Sequence, residues 1–188
     1  MDKALSDSEI LNIMPEATII LSPELKKLRR LPPLPLVILY TTAPNFGHWT
    51  LLHEVRTAER GRPTVEFFDS YGMKPDDQLA FISPAYRRES DQTKKELVRL
   101  LLGAGLGQDG EPSLSYNEYK FQAPTHPDGT PVNTCGRWII LRYLAGAGGG
   151  SPSLEDFRRI AYRWRDPDEW AVVMTSQLED SPARLAWA

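Results

Sequence analysis

The 188-residue chain holds a single cysteine, Cys135, and only three histidines, His48, His53 and His126. One cysteine cannot close an internal disulfide, which excludes a disulfide-built secreted scaffold and argues for a reducing compartment. The three histidines and one cysteine show no ligand-type spacing, so no metal site is expected. No apolar run approaches the ~20 residues that a membrane span requires. The opening Met1-Asp2-Lys3-Ala4-Leu5-Ser6-Asp7 has no apolar stretch of the signal-peptide kind. No glycine-rich phosphate loop follows a strand. Positive charge is not in excess either: 22 Lys and Arg stand against 25 Asp and Glu, a net charge of −3. That balance gives no global basic field to hold nucleic acid. What is present is ordinary for a globular protein, with 41% hydrophobic and 25% charged residues. The expectation is one soluble, intracellular, monomeric domain over residues 1–188, with no membrane association.

Periodicity and punctuation give a mixed order of helix, sheet and helix. Residues 6–14 read as a short helix capped by Ser6 or Ser8, and residues 17–21 as a short strand. Residues 23–31 read as a brief basic helix, broken by Leu31-Pro32-Pro33-Leu34-Pro35. Residues 36–40, 48–55 and 64–68 read as three strands joined by short turns, an antiparallel meander. The turn before the third is Gly61-Arg62-Pro63. Residues 93–102 form a helix, 107–113 a loop rich in glycine and acid, and 115–122 a strand edge. After the Pro- and Gly-rich stretch 123–133, Thr134 caps an apolar helix over 135–144. A linker over 145–151 and two helices, at 152–164 and from Asp166-Pro167 onward, complete the chain. The fold class is α+β, with residues 1–35 an N-terminal arm or helical segment, 36–145 the core and 152–188 C-terminal helices.

Cys135 opens a helix, where unsatisfied N–H groups and the positive dipole end favour a thiolate. Gly136 after it permits close approach of a backbone or substrate. A lone cysteine also reads as a small buried hydrophobe, and the residues alone leave both readings open. A thiolate nucleophile needs a base, an acceptor that orients the base, and donors for an oxyanion. His126 lies in a turn. His48 and His53 share one strand at an odd separation and so face opposite ways. His48 is favoured because it opens its strand after Gly47 and precedes Trp49, which is expected to wall one side of a cleft. On the next strand Val65, Phe67 and Asp69 alternate onto one face, and Asp69 lies 21 positions after His48. A hairpin of that length can join an imidazole to a carboxylate, though Asp69 also reads as a turn cap with Ser70 and Gly72. Gln122 can donate its amide to an oxyanion together with the Cys135 backbone N–H. Gln92 and Gln108, in a polar helix start and a loop, are poorer choices.

Gly47-His48-Trp49, Phe67-Phe68-Asp69-Ser70-Tyr71-Gly72, Gln122 and Asn133-Thr134-Cys135-Gly136 follow in the order His, Asp, Gln, Cys. Together they resemble the adenovirus-type proteinases (adenain) and the related ubiquitin-like-protein proteases, over roughly residues 36–145. The 13-residue separation from Gln122 to Cys135 is longer than the family pattern. The resemblance implies a papain-like α+β fold in permuted order, a central antiparallel or mixed sheet with a helix carrying the cysteine. It also implies catalytic roles for His48 as base, Asp69 as its orienter, Cys135 as nucleophile and Gln122 as oxyanion donor, with Trp49 and Gly136 at the substrate. Cys-Gly-Arg-Trp and the small size point to the viral maturation branch, a cysteine endopeptidase cutting capsid and core precursors next to glycine. Its place would be the virion, host cytoplasm or virus factory. A peptide or nucleic-acid activator is an option of that branch; no cofactor is implied. The basic group Arg158, Arg159, Arg163 and Arg165 reads first as a solvated helix face. A processing enzyme for ubiquitin-like modifiers and a non-catalytic binding domain of the same fold are the alternatives.

Overall fold

The computed structural model describes residues 3–56, 64–106, 113–147 and 151–180. The turn Gly61-Arg62-Pro63, most of the glycine- and acid-rich loop and part of the linker expected after residue 144 lie outside them. A five-stranded sheet in the order β1-β2-β3-β4-β5 organises the chain. Its strands are β1 (Thr18–Leu21), β2 (Leu36–Ala43), β3 (Phe46–Val55), β4 (Thr64–Asp69) and β5 (Leu114–Tyr116). The central three form the expected antiparallel meander, while β1 and β5 add on in parallel, making the sheet mixed.

Helix α4 (Cys135–Ala147) packs across β3 and β4 on one face. There Trp49, Leu51 and Phe68 meet Trp138, Ile139 and Leu141. Helices α1 (Asp7–Ile13), α5 (Leu154–Ala161) and α6 (Pro167–Asp180) enclose α4 from outside, adding Ile10, Phe157 and Trp170. On the opposite face Leu36, Ile38, Leu52 and Phe67 are covered by Leu97, Leu100 and Leu101 of α3 (Glu96–Gly103). Alternation along the strands produces the two cores, since neighbouring side chains point to opposite faces. Residues before 36 are part of the fold: β1 extends the sheet, and α1 begins at a capping box made by Ser6 and Glu9.

Some segments differ from expectation. Ser22–Lys27 is a 3-10 helix ending before the proline run. Two elements without clear periodicity, a 3-10 helix at Asp77–Phe81 and α2 (Pro84–Glu89), fill residues 77–89. The strand expected over 115–122 stops at Tyr116. Past it the Asn117 side chain takes over the ladder, accepting from Asp69 N–H at 2.9 Å and donating to the Asp69 carbonyl at 2.7 Å. A side chain that satisfies both groups leaves the backbone free to turn.

Candidate active site

Cross-strand register brings His48 to Asp69. Asp69 lies opposite Thr50, and His48, two residues before Thr50, projects from the same face as its diagonal neighbour. His48 Nε2 stands 3.2 Å from Asp69 Oδ1. The carboxylate is fully buried. Its Oδ1 also accepts the Tyr71 N–H at 2.6 Å, and its Oδ2 accepts from the Gln78 amide. Burial opposes charging of His48, but the adjacent Asp69 carboxylate and the Cys135 sulfur outweigh it and raise the imidazole to about 10. The ring stacks on Tyr71 with centroids 4.7 Å apart, and Nε2 is committed to Asp69, which leaves Nδ1 for a second partner.

Cys135 is the first residue of α4, 6% exposed. The Thr134 carbonyl begins the helix by accepting from the N–H groups of Arg137 and Trp138. The Thr134 hydroxyl donates to Asp168 Oδ1, which also takes the Trp138 indole N–H at 2.9 Å. Asp168 Oδ2 accepts the N–H of Ala123 at 2.9 Å. One carboxylate at the start of α6 therefore ties the residue before Cys135 to the residue after Gln122. Gln122 is buried; its Oε1 accepts from Ser70 Oγ at 2.8 Å, and its backbone N–H donates to the Ser70 carbonyl at 3.0 Å.

His48, Gln122 and Cys135 open onto one cavity of about 580 Å³ whose lining also includes Phe46, Tyr71, Gln78 and Phe81. Phe46 and Phe81 are 53% and 73% exposed at its edge. Trp49 and Gly136 are not in that lining. The Trp49 indole is buried and donates to the Leu5 carbonyl at 3.0 Å. A Cβ at Gly136 would meet Leu5 Cβ at 3.1 Å and Trp49 Cδ1 at 3.3 Å. The expected cleft wall thus packs against the N-terminal segment, and Tyr71 takes its place beside His48. Tyr71, Gln78 and Asp168 are site residues the sequence reading did not assign. Tyr71 was visible as part of the turn after Asp69; Gln78 and Asp168 carry no local signal.

The second histidine serves the other face. His53 Nε2 lies 3.3 Å from Glu66 Oε1, and Arg142 of α4 reaches the same carboxylate with Nε at 2.6 Å and Nη2 at 2.8 Å. His126 sits in a turn whose N–H donates to the Thr130 carbonyl at 2.8 Å. Of the basic group, Arg158 lies over the Tyr119 and Tyr162 rings, and Arg159 pairs with Glu155 and Asp156. Among the described residues no cluster of three or more His, Cys, Asp or Glu is placed to hold a metal ion, and no helix is long and apolar enough to cross a membrane.

Fold and site together define an α+β protein whose mixed sheet pairs a histidine with a buried aspartate and sets that histidine beside a cysteine at one cavity. No protein-family model matches the chain. It is similar to "Uncharacterized protein V9" of Sputnik virophage, 36% identical over 147 residues that cover 75% of either chain. The chain belongs to the family of that virophage protein.

Proposed function

We propose that this protein is a cysteine endopeptidase of viral maturation, built as a papain-like domain in permuted order. The observation that carries the reading is the His48–Asp69 pair at 3.2 Å, with His48 and Cys135 lining one cavity and the Cys135 sulfur among the groups that favour the imidazolium. In this reading Cys135 Sγ attacks the carbonyl carbon of a peptide bond as an imidazolium-paired thiolate. His48 gives its proton to the leaving amine, the C–N bond breaks and a thioester remains. His48 then removes a proton from water, which hydrolyses the thioester and frees Cys135. Asp69 holds the imidazole and stabilises its charge. In this reading the oxyanion forms beside the Cys135 backbone N–H, on the side of the cavity lined by Gln122 and Tyr71.

In this reading the substrates are capsid and core precursor polypeptides, which the resemblance carries; the virophage relative supports the viral setting. Cleavage next to glycine is carried by the resemblance, because Trp49 does not narrow the cleft. The test is the rate of Cys135 alkylation by iodoacetamide against pH, in the wild type and in His48→Ala, followed by mass spectrometry of glycine-rich peptides after incubation. Rapid labelling that persists below pH 7 and disappears without His48, together with peptide cleavage, is the expected result. Labelling confined to alkaline pH and indifferent to His48 would discard the reading. Capture by a ubiquitin-like C-terminal electrophile without peptide cleavage would move it to modifier processing.

A further inference from the structure

The hydrogen bonds of Gln122 leave its amide with nothing to give. Its Nε2 donates to the Val132 carbonyl at 2.7 Å and to the Tyr71 hydroxyl at 3.1 Å. A carbonyl can only accept, so Val132 decides which end of the amide is nitrogen; the Ser70 hydroxyl at Oε1 agrees. An amide nitrogen has two hydrogens, and both are taken. Because that nitrogen can only donate, Tyr71 Oη must be the acceptor, and its own hydrogen points elsewhere. Among the described residues no acceptor meets that hydrogen. The Tyr71 ring is fixed by its stack on His48, and Tyr71, His48, Gln122 and Cys135 line the same cavity.

We propose that the Tyr71 hydroxyl is a catalytic residue, the side-chain hydrogen-bond donor to the oxyanion, with Gln122 acting through it as a positioning residue. This rests on the cysteine-hydrolase reading above. As the Cys135 Sγ–carbon bond forms, the carbonyl π pair moves onto oxygen. Tyr71 O–H donates a hydrogen bond to that oxygen and the proton stays on Tyr71. When the leaving group departs, the pair returns and the bond is released. The Gln122 N–H on the phenol oxygen polarises the O–H and strengthens it as a donor. Burial, with the charges of Cys135 and Asp69, holds the phenol up to about 12, so it remains protonated while the imidazole works.

Two readouts separate this proposal from the reading it rests on. Iodoacetamide alkylation builds no oxyanion and reports only the Cys135–His48 pair. Acylation by the p-nitrophenyl ester of N-acetylglycine builds one. Tyr71→Phe keeps the ring stack and removes the donor. It is expected to slow acylation on the order of 10- to 100-fold, short of the full loss of a lone donor because a Gln122 N–H is freed, while alkylation stays near the wild-type rate. A fluorinated tyrosine at position 71, ionising near neutral pH, should add an alkaline fall in acylation at the phenol's own ionisation. A purely structural role, or donation by Gln122 itself, would not produce that fall. Wild-type acylation in Tyr71→Phe, with no new fall in the fluorotyrosine protein, would overturn the role of Tyr71 alone. A wild-type protein that neither acylates nor alkylates below pH 7 would overturn the hydrolase reading and this role with it.

Discussion

The Asp168 carboxylate accepts the Trp138 indole N–H at 2.9 Å, joining the start of α6 to the first turns of α4. The same side chain takes the Thr134 hydroxyl and the Ala123 N–H. Asp168→Ala would strand three donors around Cys135. Orphaned buried donors cost about 1–3 kcal/mol each when nothing replaces the acceptor. A loss of about 3 kcal/mol is expected, seen as a lower urea midpoint, with Asp168→Asn losing less. An unchanged midpoint in Asp168→Ala would show that water replaces the carboxylate fully.

Stability should fall with alkalinity through His48. Its folded value, about 10, lies above its ordinary 6.5 despite the opposing effect of burial, because Asp69 and Cys135 favour the imidazolium. The folded state thus binds the extra proton between those values. The contribution is complete below about 6.5 and is lost as pH rises towards 10. Urea midpoints measured across that window should decline in the wild type and decline less in His48→Gln.

Glu66 works in the opposite direction. Burial alone would raise its carboxyl, but hydrogen bonds from His53 and Arg142 hold it down at about 2, below the ordinary 4.5. Its contribution is present above 4.5 and disappears as pH falls towards 2. Glu66→Gln leaves Arg142 without its buried counter-charge, at a cost of about 3–5 kcal/mol. Acid titration followed by circular dichroism should lose the part of its transition lying between those values.

Gly47→Ala tests the strand that carries His48. A Cβ there would lie 2.1 Å from the Tyr40 carbonyl oxygen, so β2 and β3 would have to separate. A loss of about 1–3 kcal/mol is expected for such overpacking, accompanied by slower alkylation of Cys135. Thermal unfolding and iodoacetamide kinetics on one preparation check both.

Much of the site was legible because strand side chains alternate with a period of two. That parity put His48 and Asp69 on faces that a hairpin could unite, and it set His53 apart. Thr134 after a proline- and glycine-rich loop marked the helix start that presents Cys135. Trp49 misled because it adjoins His48 in sequence, whereas the same parity sends it to the α4 face. Asp168 was illegible for another reason: its partners lie 30 to 45 positions away, and nothing near it announces that reach. Residues 77–89 lacked a period since their elements are one or two turns long, too short for an apolar stripe to repeat. Gln122 could be picked out as an amide near the cysteine, but the direction of its donors depends on Val132 and Tyr71, which only the folded chain supplies.

His48 and His53 occupy one strand and Asp69 and Glu66 the next, so each strand contributes one member to either face. A slip of one residue between β3 and β4 would turn Glu66 away from Arg142 and Asp69 away from His48 together. The ion pair beneath α4 and the His48–Asp69 pair on the far side therefore depend on one and the same register. A hairpin closed one residue out of register would leave the Arg142 guanidinium buried without its carboxylate.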